Sequence, residues 1–173
     1  HKNYYPEEKS WDDVSVSDQL PLLQRINERA FAQSADIKKV RGGLAHSITH
    51  VLHVHSNGLI SYDRRPMGRM NIQCTAERNG VIETNGFSRA ARQGFELFSN
   101  ELLNEAVDEA VRRTLFLFDA RVAPAGQFPL VLGAGSSGIL LHEAIGHGME
   151  ADFNRKGISI YADKLGKRIA SEE

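Results

Sequence analysis

Residues 142–147 read His-Glu-Ala-Ile-Gly-His, an H-E-x-x-x-H run placed directly after the glycine loop Gly133-Ala-Gly-Ser-Ser-Gly138. Two imidazoles flanking a carboxylate are the parts of a hydrolytic zinc site. The rings offer neutral nitrogen ligands to a borderline-soft cation, and the carboxylate takes a proton from water. The chemistry expected of this pattern is zinc-dependent peptide hydrolysis, with His142 and His147 on the metal and Glu143 as general base.

The spacing sets a structural condition. The common zincin motif places its histidines four residues apart, nearly on one helix face, whereas these are five apart. On a regular α-helix five residues turn through about 500°, leaving the rings about 140° apart around the axis and about 7.5 Å apart along it. A single wide π-turn between them brings the rings toward one side, and such turns concentrate at functional sites. The helix over 139–149 is therefore expected to be irregular near Gly146, where Gly146 and Gly148 tolerate distortion for want of a Cβ. The competing reading is an ordinary helix in which one histidine is a satisfied core residue and the other lies on the surface.

The elements around the motif offer a decoy. Gly133-x-Gly135-x-x-Gly138 has the form of the dinucleotide fingerprint, after a plausible strand over 128–132 and before a helix. A second strand near 158–161 would leave too little chain to build the remaining parallel strands. The glycines then read as a tight strand-to-helix turn, and a dinucleotide-binding module is the weaker alternative.

Upstream, the pattern predicts an α+β arrangement: an antiparallel meander packed with helices, then a strand–glycine loop–helix segment carrying the motif. After an open start over 1–15, a first helix is expected over 17–33, capped by Ser17, with Pro21 near its start and Leu22, Leu23, Ile26 and Ala30 as its apolar stripe. Strands are expected over 37–45, 48–55, 59–63, 67–77 and 81–84, with Asn57-Gly58 and Asn79-Gly80 as type I′ hairpin turns. A helix over 100–120 should bury Leu103, Val107, Ala110, Val111, Thr114 and Phe118. Its outer face should carry the i,i+4 pairs Asp108/Arg112 and Glu109/Arg113. Ala123-Pro-Ala-Gly-Gln127 breaks that helix. It divides a sheet-helix domain over 1–125 from the start of a metal-bearing domain over 126–173. The Lys156-Gly157 turn then leads to a short strand and a polar tail.

Other potential ligands carry blander readings. His46, His50, His53 and His55 crowd one strand, where His53 and His55 share one face and His46 and His50 the other. Two imidazoles on one face could chelate, but the exposed face of a half-covered sheet is the commoner reason for such a pattern. Cys74 lies in an alternating strand and reads as a small buried hydrophobe. Glu150, Asp152 and Glu172 could each supply an oxygen ligand, and each reads first as a surface or outer-sphere group.

Composition excludes several classes. A formal charge of −1 provides no basic field for holding phosphates, so direct nucleic-acid binding is not expected. Lys38, Lys39 and Arg41, and Arg64, Arg65 and Arg69, read as solvated strand edges. One cysteine cannot form an intramolecular disulfide, which fits a reducing, cytoplasmic setting. No stretch approaches the roughly 18 apolar residues of a membrane span, and His1-Lys-Asn-Tyr-Tyr-Pro6 does not read as a leader.

The stretch from Val131 to Gly157, above all Gly146-His-Gly-Met-Glu-Ala-Asp-Phe-Asn-Arg-Lys-Gly157, resembles the heart of the TldD/PmbA family on its active, TldD-like side. Weaker similarity extends through Ala123-Pro-Ala-Gly126 and the hairpins at Asn57-Gly58 and Asn79-Gly80. The resemblance implies a metallopeptidase that pairs with a homologous inactive subunit and acts on unfolded or short peptides. It implies zinc on His142 and His147 and Glu143 as base, and it places the third ligand on a cysteine far downstream. The family's older association with gyrase modulation does not outweigh the neutral charge. Because the chain stops at Glu173, the expectation is a fragment that by itself binds zinc weakly and does not cleave peptides. The non-enzyme alternative is an interaction or structural subunit whose histidines are relics.

Overall fold

A computed structural model of the chain describes residues 4–172, so His1-Lys-Asn3 of the expected open start lies outside the described residues. Residue contacts divide the chain into two units, 1–122 and 123–173.

The first unit is α+β. A one-turn 3₁₀ helix, Trp11–Asp13, leads into α1 (Val16–Gln33), and the sheet follows as β1 (Ile37–Val54), β2 (Ile60–Arg78) and β3 (Val81–Ala91). A second short 3₁₀ turn precedes α2 (Asn100–Phe116), which tightens into a last 3₁₀ turn at Leu117–Asp119. The cap of α1 is Ser15, not Ser17. Its Oγ accepts the Asp18 N–H while Asp18 Oδ2 accepts the Ser15 N–H, a reciprocal pair that satisfies two otherwise orphan donors. Pro21 falls inside the helix.

The sheet is antiparallel in the order β1-β2-β3. The five expected strands are three, because pairing runs unbroken through the breaks suggested by the sequence: Ser47 sits opposite Met67, and Ile48 opposite Pro66. β3 also continues past Thr84 to Ala91. Asn79 and Gly80 both take positive φ, 52° and 80°, as a type I′ turn requires. At the other hairpin only Gly58 does (84°), so Asn57-Gly58 is part of a longer loop closed by His55 N–H to Leu59 O. Arg64, Arg65 and Arg69 lie on β2, the central strand rather than an edge, and Arg64 is bound to Glu7, Ser10 and Asp12.

The period-2 rule builds the core. Met70, Ile72, Cys74 and Ala76 on alternate positions of β2 face Ile26 and Ala30 of α1 and Leu103, Ala106, Val107, Ala110 and Val111 of α2. Leu22, Leu23 and Phe118 pack partly buried around them. The buried Thr114 hydroxyl donates to Ala110 O at 2.8 Å, satisfying its polar group within the helix. Cys74 is wholly buried and is not in a disulfide. On the outside, the expected Asp108/Arg112 pair is absent. Asp108 instead takes a two-pronged Arg29 from α1, at 2.7 and 2.6 Å, while Arg112 and Arg113 both engage Glu109. An interhelical guanidinium in fork geometry outcompetes a neighbour along the same helix.

The second unit is built differently. Its described residues are exposed or half-buried, and they include no strand. Residues 128–132, expected as a strand, run irregularly, and 158–161 form bends and turns. Neither has a neighbouring strand to take up its backbone groups, and without that pairing an apolar run does not become a strand. The strand–loop–helix of a dinucleotide fold is therefore not formed. Regular structure is confined to α3 (Ser137–Leu141), a π-turn at His142–Gly146, a 3₁₀ turn at His147–Met149 and α4 (Ala151–Arg155).

Candidate metal centre

The helix over 139–149 is composite. After one α-turn the backbone widens, and the His147 N–H reaches back five residues to the His142 carbonyl. That bond sets the site. A π-turn takes more residues per revolution than an α-turn, so position 147 returns over position 142 instead of passing it. The two imidazole centroids come to 4.5 Å at an interplanar angle of 76°. Ligand atoms of His142, Glu143 and His147 all lie within 4.8 Å of one another, on exposed side chains.

The two nitrogens of His147 have separate partners. Nδ1 lies 2.6 Å from Glu150 Oε1, and Nε2 lies 3.6 Å from Glu143 Oε2. The hydrogen bond to Glu150, followed by its charge and that of Glu143, raises the pKa of His147 above the ordinary value. A neutral His147 that donates its Nδ1–H to Glu150 presents the Nε2 lone pair on the side of Glu143. Two imidazoles and a carboxylate at this separation suit a borderline divalent cation better than a hard one, which prefers oxygen donors alone.

The segment after His147 is braced by side chains that the motif does not contain. Asn154 Nδ2 donates to the carbonyls of both Gly148 and Glu150, at 3.0 and 2.9 Å, and Ser159 Oγ donates to Gly148 O. The glycine that matters sterically is Gly148, whose added Cβ would fall 2.7 Å from the Tyr161 ring. Gly146, expected to permit the distortion, takes ordinary helical angles (φ −58°, ψ −50°), and a Cβ there would make only contacts of 3.8 Å or more. The π-turn does not depend on a missing Cβ at Gly146.

The other candidates fall away from this cluster. Glu172 pairs with Arg168. Asp152 sits in the first turn of α4 and is not in the cluster. Cys74 is in the core of the first unit, its thiol pKa raised by burial. His46 stacks flat on Trp11, with centroids 4.6 Å apart, and His50 meets Tyr62, Nδ1 to hydroxyl at 2.5 Å. Among the described residues, His142, Glu143 and His147 are the one group of three or more His, Cys, Asp or Glu side chains placed to share an ion. Sequence reasoning read Glu150 first as a surface or outer-sphere group without naming His147 as its partner, and it missed Asn154, Ser159 and Tyr161. The i,i+3 spacing of His147 and Glu150 was the available signal.

Residues 9–116 match the PmbA/TldA metallopeptidase central domain, and residues 125–173 match the C-terminal domain of the same metallopeptidases. The chain belongs to the PmbA/TldD metallopeptidase family. A metalloprotease TldD homologue of Haemophilus influenzae is 34% identical, over 92% of this chain and 34% of its own length. One of Buchnera aphidicola is 35% identical, over 99% of this chain and 36% of its own. The chain thus spans about a third of the length of these relatives. A crystal structure of a proposed modulator of DNA gyrase from Thermotoga maritima shares the fold. Its TM-score is 0.76 at 17% identity, covering 96% of this chain and 37% of that one.

Proposed function

We propose that this chain carries the zinc-binding histidines and the general base of a peptidase, with His142 and His147 as ligands and Glu143 as base. The observation that carries the reading is the five-residue hydrogen bond from His147 to His142, which turns an unsuitable spacing into a shared site. Bound zinc supplies Lewis acidity toward a peptide carbonyl and makes water acidic enough to react near neutral pH. Glu143, exposed beside both rings, takes the proton of the attacking water on its carboxylate and returns it to the leaving amine. His142 and His147 orient the ion, and Glu150 withholds one nitrogen of His147 from it. Catalytic zinc sites take three protein ligands, and among the described residues no further donor joins these two histidines and Glu143. The family resemblance points to a cysteine as the third.

The finer expectations stand on the same resemblance: unfolded or short peptides as substrate, a homologous subunit as partner in a hetero-oligomer, and a cytoplasmic setting. No described helix is long and apolar enough to cross a membrane. The test is Glu143→Gln in zinc-loaded protein. Zinc content should stay unchanged while peptide cleavage falls by about 10²- to 10⁴-fold. His142→Ala and His147→Ala should lose the metal as well. Unchanged cleavage in Glu143→Gln would remove the base assignment, and a metal-free protein that only binds peptides would favour the interaction-subunit reading.

A further inference from the structure

We infer that Glu150 is a positioning residue for His147, and that it is not itself a metal ligand. The inference rests on the zinc reading above for its consequence, but its geometry stands independently. His147 and Glu150 bracket a single 3₁₀ turn closed by the Glu150 N–H on the His147 carbonyl, at 3.3 Å. That tight turn brings the carboxylate up beside the ring, so Oε1 meets Nδ1 at 2.6 Å. The other ring nitrogen is the one that approaches Glu143, at 3.6 Å. The two carboxylates therefore address different nitrogens of one imidazole.

A neutral imidazole has one N–H and one lone pair, and the partner of the first decides where the second points. With Glu150 accepting from Nδ1, the lone pair is left on Nε2, toward Glu143. Glu150 is held in place by its own backbone. Its carbonyl and that of Gly148 share the Asn154 side-chain amide, and Ser159 makes a further bond to Gly148. A carboxylate on the outer nitrogen of a metal-binding histidine fixes tautomer and ring angle, and losing such a partner typically costs 10- to 100-fold in metal affinity.

The decisive measurement needs no metal. Long-range proton–nitrogen NMR correlations of zinc-free protein, at a pH where His147 is neutral, should show the Nδ1–H tautomer. Glu150→Gln keeps an oxygen acceptor and should retain that tautomer, whereas Glu150→Ala should return the ring to the Nε2–H form that free imidazole side chains prefer. Zinc titration should then show a 10- to 100-fold weaker affinity for Glu150→Ala and a smaller loss for Glu150→Gln. An Nε2–H tautomer in the parent protein, or the same tautomer in Glu150→Ala, overturns the inference. So does a Glu150→Gln protein that keeps the tautomer yet loses zinc as fully as His142→Ala, because that marks Glu150 as a ligand. If the parent protein and His142→Ala bind zinc equally, the zinc reading fails while the tautomer result still decides the positioning one.

Discussion

The ring of Tyr161 lies so close over Gly148 that a Cβ on that glycine would sit 2.7 Å from its Cε2 and 2.9 Å from its Cδ2. The same glycine's carbonyl takes the Asn154 and Ser159 bonds that hold the turn behind His147. Gly148→Ala is expected to displace the Tyr161 ring, loosen that brace and weaken zinc binding by about 10-fold, the lower end of losses caused by disturbed outer-sphere support. Gly146→Ala meets no such obstacle and gains helix propensity, so its zinc affinity should stay within about twofold of the parent. Parallel zinc titrations, with the Tyr161 ring followed by NMR, check both. Equal losses in the two variants would return the steric requirement to Gly146.

Gly68 is one glycine of the first unit under a comparable side-chain constraint. A Cβ there would meet Trp11 Cζ2 at 2.7 Å and Leu97 Cδ2 at 2.8 Å, and both partners are buried. Trp11 is further fixed by its Nε1 bond to Gln93 O at 2.8 Å and its stack on His46. With the indole held on several sides, overpacking should cost about 1–3 kcal/mol. Urea unfolding of Gly68→Ala, followed by the fluorescence of Trp11, the sole tryptophan, measures this. An unchanged midpoint would mean that the strap from Lys9 to Val14 yields without cost.

Glu109 should titrate far below its neighbours. Hydrogen bonds from Arg112 and then Arg113 hold its carboxylate at a pKa of about 2. That lies below the value of about 4.3 for an unfolded glutamate. The ionised form therefore supports the fold above that unfolded value, and the support disappears as pH falls through about 2. Carboxyl-carbon NMR of the native protein should place the Glu109 midpoint near 2, and the stability difference between the parent and Glu109→Gln should vanish at that acidity. A midpoint above 4 would show that the two arginines do not hold it in solution.

The sequence by itself determined the α+β class, the apolar stripes of both long helices and the Asn79-Gly80 turn, and it singled out the three residues, His142, Glu143 and His147, that the structure brings together. These follow from period, turn chemistry and residue type, all of which are local. For both rings to serve one ion, the His-x₄-His spacing called for a wide turn, because no straight α-helix brings both rings to one side. Which residue relaxes the chain there was not local. Gly148 rather than Gly146 is constrained because Tyr161, thirteen positions later, folds back over it. Asp108 abandons Arg112 for Arg29 because α1 and α2 lie side by side against the sheet. Residues 128–132 stay irregular for the complementary reason: a strand exists only where another strand accepts its backbone, and nothing in those five residues says whether one is there. Tertiary structure decided the sharing of His147 between Glu143 and Glu150 in the same way, by closing a 3₁₀ turn where residue type allowed several.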